Sequence, residues 1–341
     1  MLLYYAVTGV AAWLLTALWR RYALRRQLLD HPNDRSSHQQ ATPRGGGIAF
    51  VLPFIVGTLL WLAHYGDADF VKGVAYALLG AGGLVALVGF IDDHRPLSAA
   101  WRLLLHLVAA LWAIAWLGGL PPLVIFTLAV NLGWVGDLLA VAGLVWMLNL
   151  FNFMDGIDGI ASVEALSVLL AGGVLIGYLC GATPLLLLLL LLAAALGGFL
   201  LWNWPPAKIF MGDVGSGFLG VVLGIIAVAA AHLDARLFWV FAILLGVFIV
   251  DTTYTLVRRQ QQRQPLHLAH CSHAFQQAAR RYQSHRRVTL AVGGINLLWL
   301  LPWAALVALN YLDGAVAAVI AYTPLVLTAR YFRAGEVRGD A

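Results

Sequence analysis

The chain has 341 residues, of which 62% are hydrophobic and only 11% charged, and its mean hydropathy is +0.84. A soluble domain carries about 25% charged residues, so this composition excludes a soluble enzyme and describes an integral membrane protein. The net charge of +5 does not argue for nucleic-acid binding, because no soluble basic domain exists to carry it.

Apolar runs of about 20 residues recur along the chain, as in helical membrane proteins, rather than the alternation of a barrel. The expected fold is all-α, a single polytopic membrane domain over residues 1–341 with about eleven transmembrane helices. The runs cover roughly 2–19, 46–64, 73–91, 103–118, 137–153, 160–180, 183–201, 216–233, 237–257, 288–309 and 314–330. The first run has no basic residue before it and a cluster directly after it. That is the reverse of a cleavable signal peptide and predicts a retained first helix with its N-terminus outside. The segment from Gly119 to Gly136 is too short and too rich in Gly and Pro for a full span, and its run from Leu123 to Val130 predicts a short outer-face β-hairpin. All of the 21 Lys and Arg residues except Lys72 and Arg236 then fall on one face, which the positive-inside rule makes cytoplasmic together with the C-terminus. Cys180 and Cys271 fall on opposite faces, so no disulfide framework exists.

The same face gathers polar motifs in the loops at 20–45, 92–102, 154–160, 202–216 and 258–287. In the first loop, Arg44 and three glycines (Gly45, Gly46, Gly47) open a helix and could cradle an anion with backbone N–H groups. Asp92 and Asp93 are adjacent carboxylates at a helix exit, able to share a divalent cation or raise one another's pKa. Arg95 and Arg102 follow them. Asn149, Asn152 and Asp155 recur at spacing three and so share one helical face. Gly156 and Gly159 then let the backbone turn and bring Asp158 beside Asp155. Such groups at a membrane boundary mark a site by default, whereas a plain Asp-Gly helix end leaves the two asparagines unexplained. Farther on, Asn203, Phe210 and Asp213 lie in a glycine-rich loop before a helix, without the Lys-Ser/Thr of a Walker loop. His267, His270 and His273 at spacing three would share a helical face. Donation to a diphosphate is the better reading for them, and zinc binding with Cys271 the weaker one. Arg280, Arg281, Arg286 and Arg287 read as contacts to anionic headgroups. Oxygen ligands without a cysteine set favour magnesium.

Taken in order, Asn33–Gly47, the Asp92-Asp93 pair, Asn149–Gly159, Asn203–Gly217 and the histidine loop resemble the polyprenyl-phosphate N-acetylhexosamine-1-phosphate transferases of bacterial glycosyltransferase family 4. The resemblance runs from about Asp30 to about His273 and is nearer to the O-antigen and common-antigen branch than to the muramoyl-pentapeptide branch, whose histidines are contiguous. It implies transfer of an amino-sugar phosphate from a UDP-sugar to undecaprenyl phosphate, releasing UMP, at the cytoplasmic side of the bacterial inner membrane. By this resemblance Asp213 binds Mg2+, for which Mn2+ could substitute. Asp92, Asp93, Asp155, Asp158 and His270 form the catalytic set. Arg44, Arg95, Arg102, Asn149, Asn152, Asn203, Phe210, His267 and His273 contact substrate. The resemblance also implies that Arg95 and Arg102 hold the lipid phosphate and that Asn203, Phe210, Asp155 and Asp158 form the nucleotide pocket. Besides the two substrates the expected partner is the lipid bilayer; a homodimer is allowed, and nucleic acid is not expected. A secondary transporter would also gather carboxylates in a bundle, but near the midplane and in repeats, and no internal repeat is visible.

Overall fold

The computed structural model describes residues 2–32, 40–126, 128–265 and 270–336. Among these, ten helices are long and apolar enough to cross a membrane, and one bent pair brings the number to eleven if it is counted as one span. They are α1 (Leu2–Arg26), α2 (Ile48–Tyr65), α3 (Asp69–His94), α4 (Ala99–Leu117), α5 (Gly133–Met154), α6 (Ile160–Cys180), α7 (Pro184–Asn203) and α8 (Asp213–Leu233). The bent pair α9 (Arg236–Leu244) and α10 (Gly246–Gln261) follows, then the short α11 (Ala274–Tyr282), α12 (His285–Ala308) and α13 (Gly314–Tyr331). Two strand pairs are antiparallel, β1 (Leu29–Asp30) with β2 (Thr42–Pro43) and β3 (Leu123–Ile125) with β4 (Leu128–Val130). The second pair is the hairpin expected from the short apolar run, and it lies at the end of the bundle opposite the basic loops.

Local chemistry sets the helix ends. Ser98 accepts the Trp101 N–H at the start of α4, and Thr183 accepts the Leu186 N–H at the start of α7, where Pro184 takes a first-turn position that needs no donor. Two spans contain a turn of π-helix, Leu78–Gly82 in α3 and Asn296–Leu300 in α12. The run expected as one continuous ninth span is instead broken at Leu245, where α9 and α10 meet at 67°. From Leu237 to Val250 the run is apolar and contains no proline, so hydropathy gives no mark of the break.

The helix α8 is almost wholly buried and forms the axis around which α3 and α5 pack. Lipid is as apolar as leucine, so such packing depends on close backbone approach by small residues. Gly47 at the start of α2 lies against Gly215 of α8, and a Cβ on either would collide with the other's backbone. Gly89 of α3 meets the backbone of Asp213 and Val214 in the same way. These glycines bring the ends of α2 and α3 onto the first turn of α8, and the site forms there.

Candidate active site

The first turn of a helix leaves N–H groups without partners. In α8 those of Asp213 and Val214 donate to the Asp93 carboxylate, at 3.2 and 3.3 Å. Asp93 thus caps α8 from the end of α3, and the Arg44 guanidinium donates to its carbonyl. The adjacent Asp92 points elsewhere. One of its oxygens accepts the Leu97 N–H at 2.6 Å, and the other pairs with Arg102 at 2.9 Å. Its carboxyl also meets that of Asp213, which the Asn152 amide contacts from α5. Adjacent acids in sequence therefore divide their work: Asp93 holds the helix start, and Asp92 faces its first carboxylate.

Asp92, Asp213, Arg102 and Asn152 share a cavity of about 470 Å³ with His270 and His273. Asn149 lines it as well, its side-chain amide tied to the Val145 carbonyl at 2.7 Å. The histidines do not share a helical face as their spacing suggested. His273 caps the start of α11 and His270 lies in the preceding loop, yet their rings stack with centroids 4.9 Å apart. Asp251 of α10 organises this corner. It accepts the N–H groups of Ala274 and Phe275 and lies 3.3 Å from His273 Nδ1. That partner favours the Nδ1–H tautomer and leaves His273 Nε2 as a hydrogen-bond acceptor. The Nε2 atoms of both His270 and His273 are buried without a hydrogen-bond partner among the described residues. Burial, then the neighbouring His273, pushes the His270 imidazole down to about 3, so it is neutral at physiological pH.

A second cavity, of about 1010 Å³, contains Asp158, Phe210, Arg280, His285 and Arg286. Asp158 accepts the Ala207 N–H at 3.0 Å and pairs with His285 Nδ1 at 3.2 Å. Asp155 stands at the end of α5, one residue before Gly156 of the first cavity. Burial, with the charges of Asp213, Asp93 and Asp158, holds its carboxyl well above the usual range. Its protonated form can donate a hydrogen bond at neutral pH.

Other residues singled out in the sequence take different places. Asn203 is buried behind the second cavity, donating to the Ile209 carbonyl at 3.0 Å and so shaping the loop under Phe210. The glycines of the first loop are not a free anion cradle. The Gly46 and Gly47 N–H groups donate to the carbonyls of Phe210 and Met211, because residues without side chains let the two loops approach. Arg95 is exposed and lines neither cavity. Arg280 and Arg286 line the second cavity rather than facing only lipid. His267 lies outside the described residues. His106 and Gln276 of the first cavity, and His285 of the second, gave no motif signal.

Asp213, Asp92 and Asn152 offer an oxygen-only donor set open to a cavity. That set fits magnesium, which takes one or two carboxylates and completes its shell with water and phosphate oxygens. No three His, Cys, Asp or Glu side chains converge as a closed metal cage among the described residues.

A helix bundle with paired carboxylates, an arginine and two imidazoles around one cavity at its end is a membrane-embedded enzyme for anionic substrates. Residues 75–231 match the model of glycosyl transferase family 4. The chain is 30% identical over 302 residues, covering 86% of it and 82% of the relative, to a protein of Bacillus subtilis (strain 168) described as a probable undecaprenyl-phosphate N-acetylglucosaminyl 1-phosphate transferase. It is 34% identical over 249 residues, covering 66% and 74%, to the phospho-N-acetylmuramoyl-pentapeptide-transferase of Moorella thermoacetica (strain ATCC 39073 / JCM 9320). The corresponding protein of Streptococcus thermophilus (strain CNRZ 1066) is 28% identical over 272 residues, covering 74% and 78%. The chain belongs to glycosyl transferase family 4 and is a phosphosugar transferase.

Proposed function

We propose that this enzyme transfers N-acetylhexosamine-1-phosphate, or a related amino-sugar phosphate, from a UDP-sugar to undecaprenyl phosphate. The products are undecaprenyl-diphosphate-sugar and UMP. The reaction would begin O-antigen or another cell-envelope polysaccharide, with the basic face cytoplasmic and the bundle in a bacterial inner membrane. The contact between Asp92 and Asp213, in a cavity that Arg102, His270 and His273 also line, carries this reading.

In the reaction an oxygen of the lipid phosphate attacks the sugar-bearing phosphorus. The bond from that phosphorus to the bridging oxygen breaks, and UMP leaves with the oxygen. Phosphoryl transfer of this kind depends on positioning and charge stabilisation. Asp213 and Asp92 would hold Mg2+, whose charge offsets that of the diphosphate when bound. Arg102, held by Asp92 at 2.9 Å, would bind the acceptor phosphate. His270, neutral and with Nδ1 toward the Ser272 hydroxyl, would donate from Nε2–H to a phosphate oxygen, whereas His273 Nε2, unprotonated in the tautomer that Asp251 favours, would accept a donor hydrogen. In the second cavity Phe210 would offer an aromatic face to the base, and Arg280 and Arg286, which line the same cavity, would contact the substrate's anionic groups. Purified protein with undecaprenyl phosphate, magnesium and a panel of UDP-sugars tests the proposal. UMP release that needs both the lipid and one UDP-amino sugar supports it; release without the lipid, or with none of the sugars, refutes it.

A further inference from the structure

The bend between α9 and α10 lies within the bundle, where freed backbone groups cannot turn to water. Both halves find side-chain partners there. The Tyr322 hydroxyl of α13 donates to the Ala242 carbonyl near the end of α9, at 2.5 Å. On the other half, the Phe248 N–H in the first turn of α10 faces the carboxylate of Glu164. Glu164 is on α6, fully buried, and its Oε2 accepts from the Asn296 amide at 2.6 Å. Asn296 is the first residue of the π-helical turn in α12, and the same amide reaches Ser167 of α6, also at 2.6 Å. One carboxylate therefore joins α6, α10 and α12.

Those helices carry the site. The helix α6 begins two residues after Asp158, α10 carries Asp251, and α12 begins at His285. Asp251 lies three residues beyond Phe248, so the turn held by Glu164 is the turn that aims His273. Stability alone is a poor reason for this group. Glu164 Oε1 and Asn296 Oδ1 are buried without partners among the described residues, and a partly satisfied polar network is worse than apolar packing. Ionisable side chains inside a membrane bundle are costly and mark function by default.

We infer that Glu164 is a positioning residue for the transfer reaction: it holds the first turn of α10 at the bend, and so places Asp251 and the His273 imbedded in the first cavity. It touches no reacting atom. The claim rests on the proposed substrates only for its kinetic readout.

Two variants and two native thiols test it. Glu164→Gln keeps an acceptor for the Phe248 N–H, whereas Glu164→Leu removes it. Misplacing catalytic groups from a distance costs up to roughly a hundredfold. Glu164→Leu should accordingly lower kcat by roughly tenfold to a hundredfold while KM for the UDP-sugar changes little. Cys271, two residues before His273, should be alkylated several-fold faster in Glu164→Leu, and Cys180 at the far end of α6 at its usual rate. Glu164→Gln should resemble wild type in both measurements. If Glu164→Leu does not accumulate, Asn296→Leu removes the amide that holds the carboxylate and is read in the same way. Wild-type kcat and Cys271 reactivity in a folded variant without the carboxylate would overturn the inference. So would faster alkylation of both cysteines, which signals general loosening. A wild-type protein that releases no UMP would refute the proposed substrates, and the Cys271 rate would then decide this claim alone.

Discussion

The two ends of the bundle treat their carboxylates differently. At the end bearing the hairpin, four acids have local partners. Asp137 accepts the Leu120 N–H at 2.8 Å, Asp313 accepts the first N–H groups of α13 at 2.9 and 3.2 Å, and Asp69 lies 3.6 Å from Lys72. Asp234 pairs with Arg236 at 2.6 Å, and that hydrogen-bonded guanidinium holds its carboxyl below the usual range. At the basic end Asp93 does similar work, but Asp92 and Asp213 face each other and Asp155 stands near three further carboxylates. Like charges this close repel unless a proton or a cation lies between them. A carboxylate answered by a backbone N–H builds the fold, and one answered by another carboxylate is suited to chemistry.

The sharpest way to break this contrast is to neutralise one acid at each end. Asp213→Asn should lower turnover by about a hundredfold or more while the protein stays folded, since charge stabilisation of a transferring group is worth at least that. Near-normal turnover in this variant would remove Asp213 from the proposed magnesium site. Phe210→Ala comes next. Stacking contributes about 1–3 kcal/mol per base, so UDP-sugar binding should weaken by roughly tenfold to a hundredfold without a change in preference for uracil. Competition by UDP, CDP and ADP reads both quantities. Arg102→Ala removes a charged partner worth about 1.5–3 kcal/mol, and KM for undecaprenyl phosphate should rise by roughly tenfold or more, well above any change for the UDP-sugar. An equal effect on both substrates would leave Arg102 with no special link to the acceptor.

The pH dependence of stability sharpens the contrast further. His270 is held near 3 in the folded protein, against about 6.5 for a free histidine, so the unfolded chain takes up this proton first. Its contribution is complete above about pH 6.5 and shrinks as the pH falls toward 3. His270→Asn should therefore flatten the acid side of a thermal-stability profile over that window. The smallest effect belongs to the far end. In Asp313→Asn the amide oxygen still caps α13, and stability should change by less than about 0.5 kcal/mol with activity untouched.

The sequence made the number of spans, the hairpin and the gathering of motifs at one end legible, because apolar length and arginine placement report them directly. Less visible was how neighbours divide their roles. Asp92 and Asp93 are adjacent and chemically identical, and only the approach of α8 assigns one to the cavity and one to capping. Asn203 looked like a substrate contact because it is polar in a polar loop, yet it turns inward to the Ile209 carbonyl. The bend at Leu245 was hidden for the opposite reason, since the side chains that stabilise it, Glu164 and Tyr322, come from distant helices. Tertiary partners decide such matters, and a single chain read in order does not display them.

The central claim is that the phosphate attached to the sugar moves with it. A UDP-N-acetylhexosamine carrying a radiolabelled β-phosphate, incubated with the purified enzyme, magnesium and undecaprenyl phosphate, tests this in one extraction. The account predicts that the label passes into the lipid phase in step with UMP appearing in the water phase, and that Asp213→Asn abolishes both. Label that remains in water as UDP while the sugar alone reaches the lipid would contradict it.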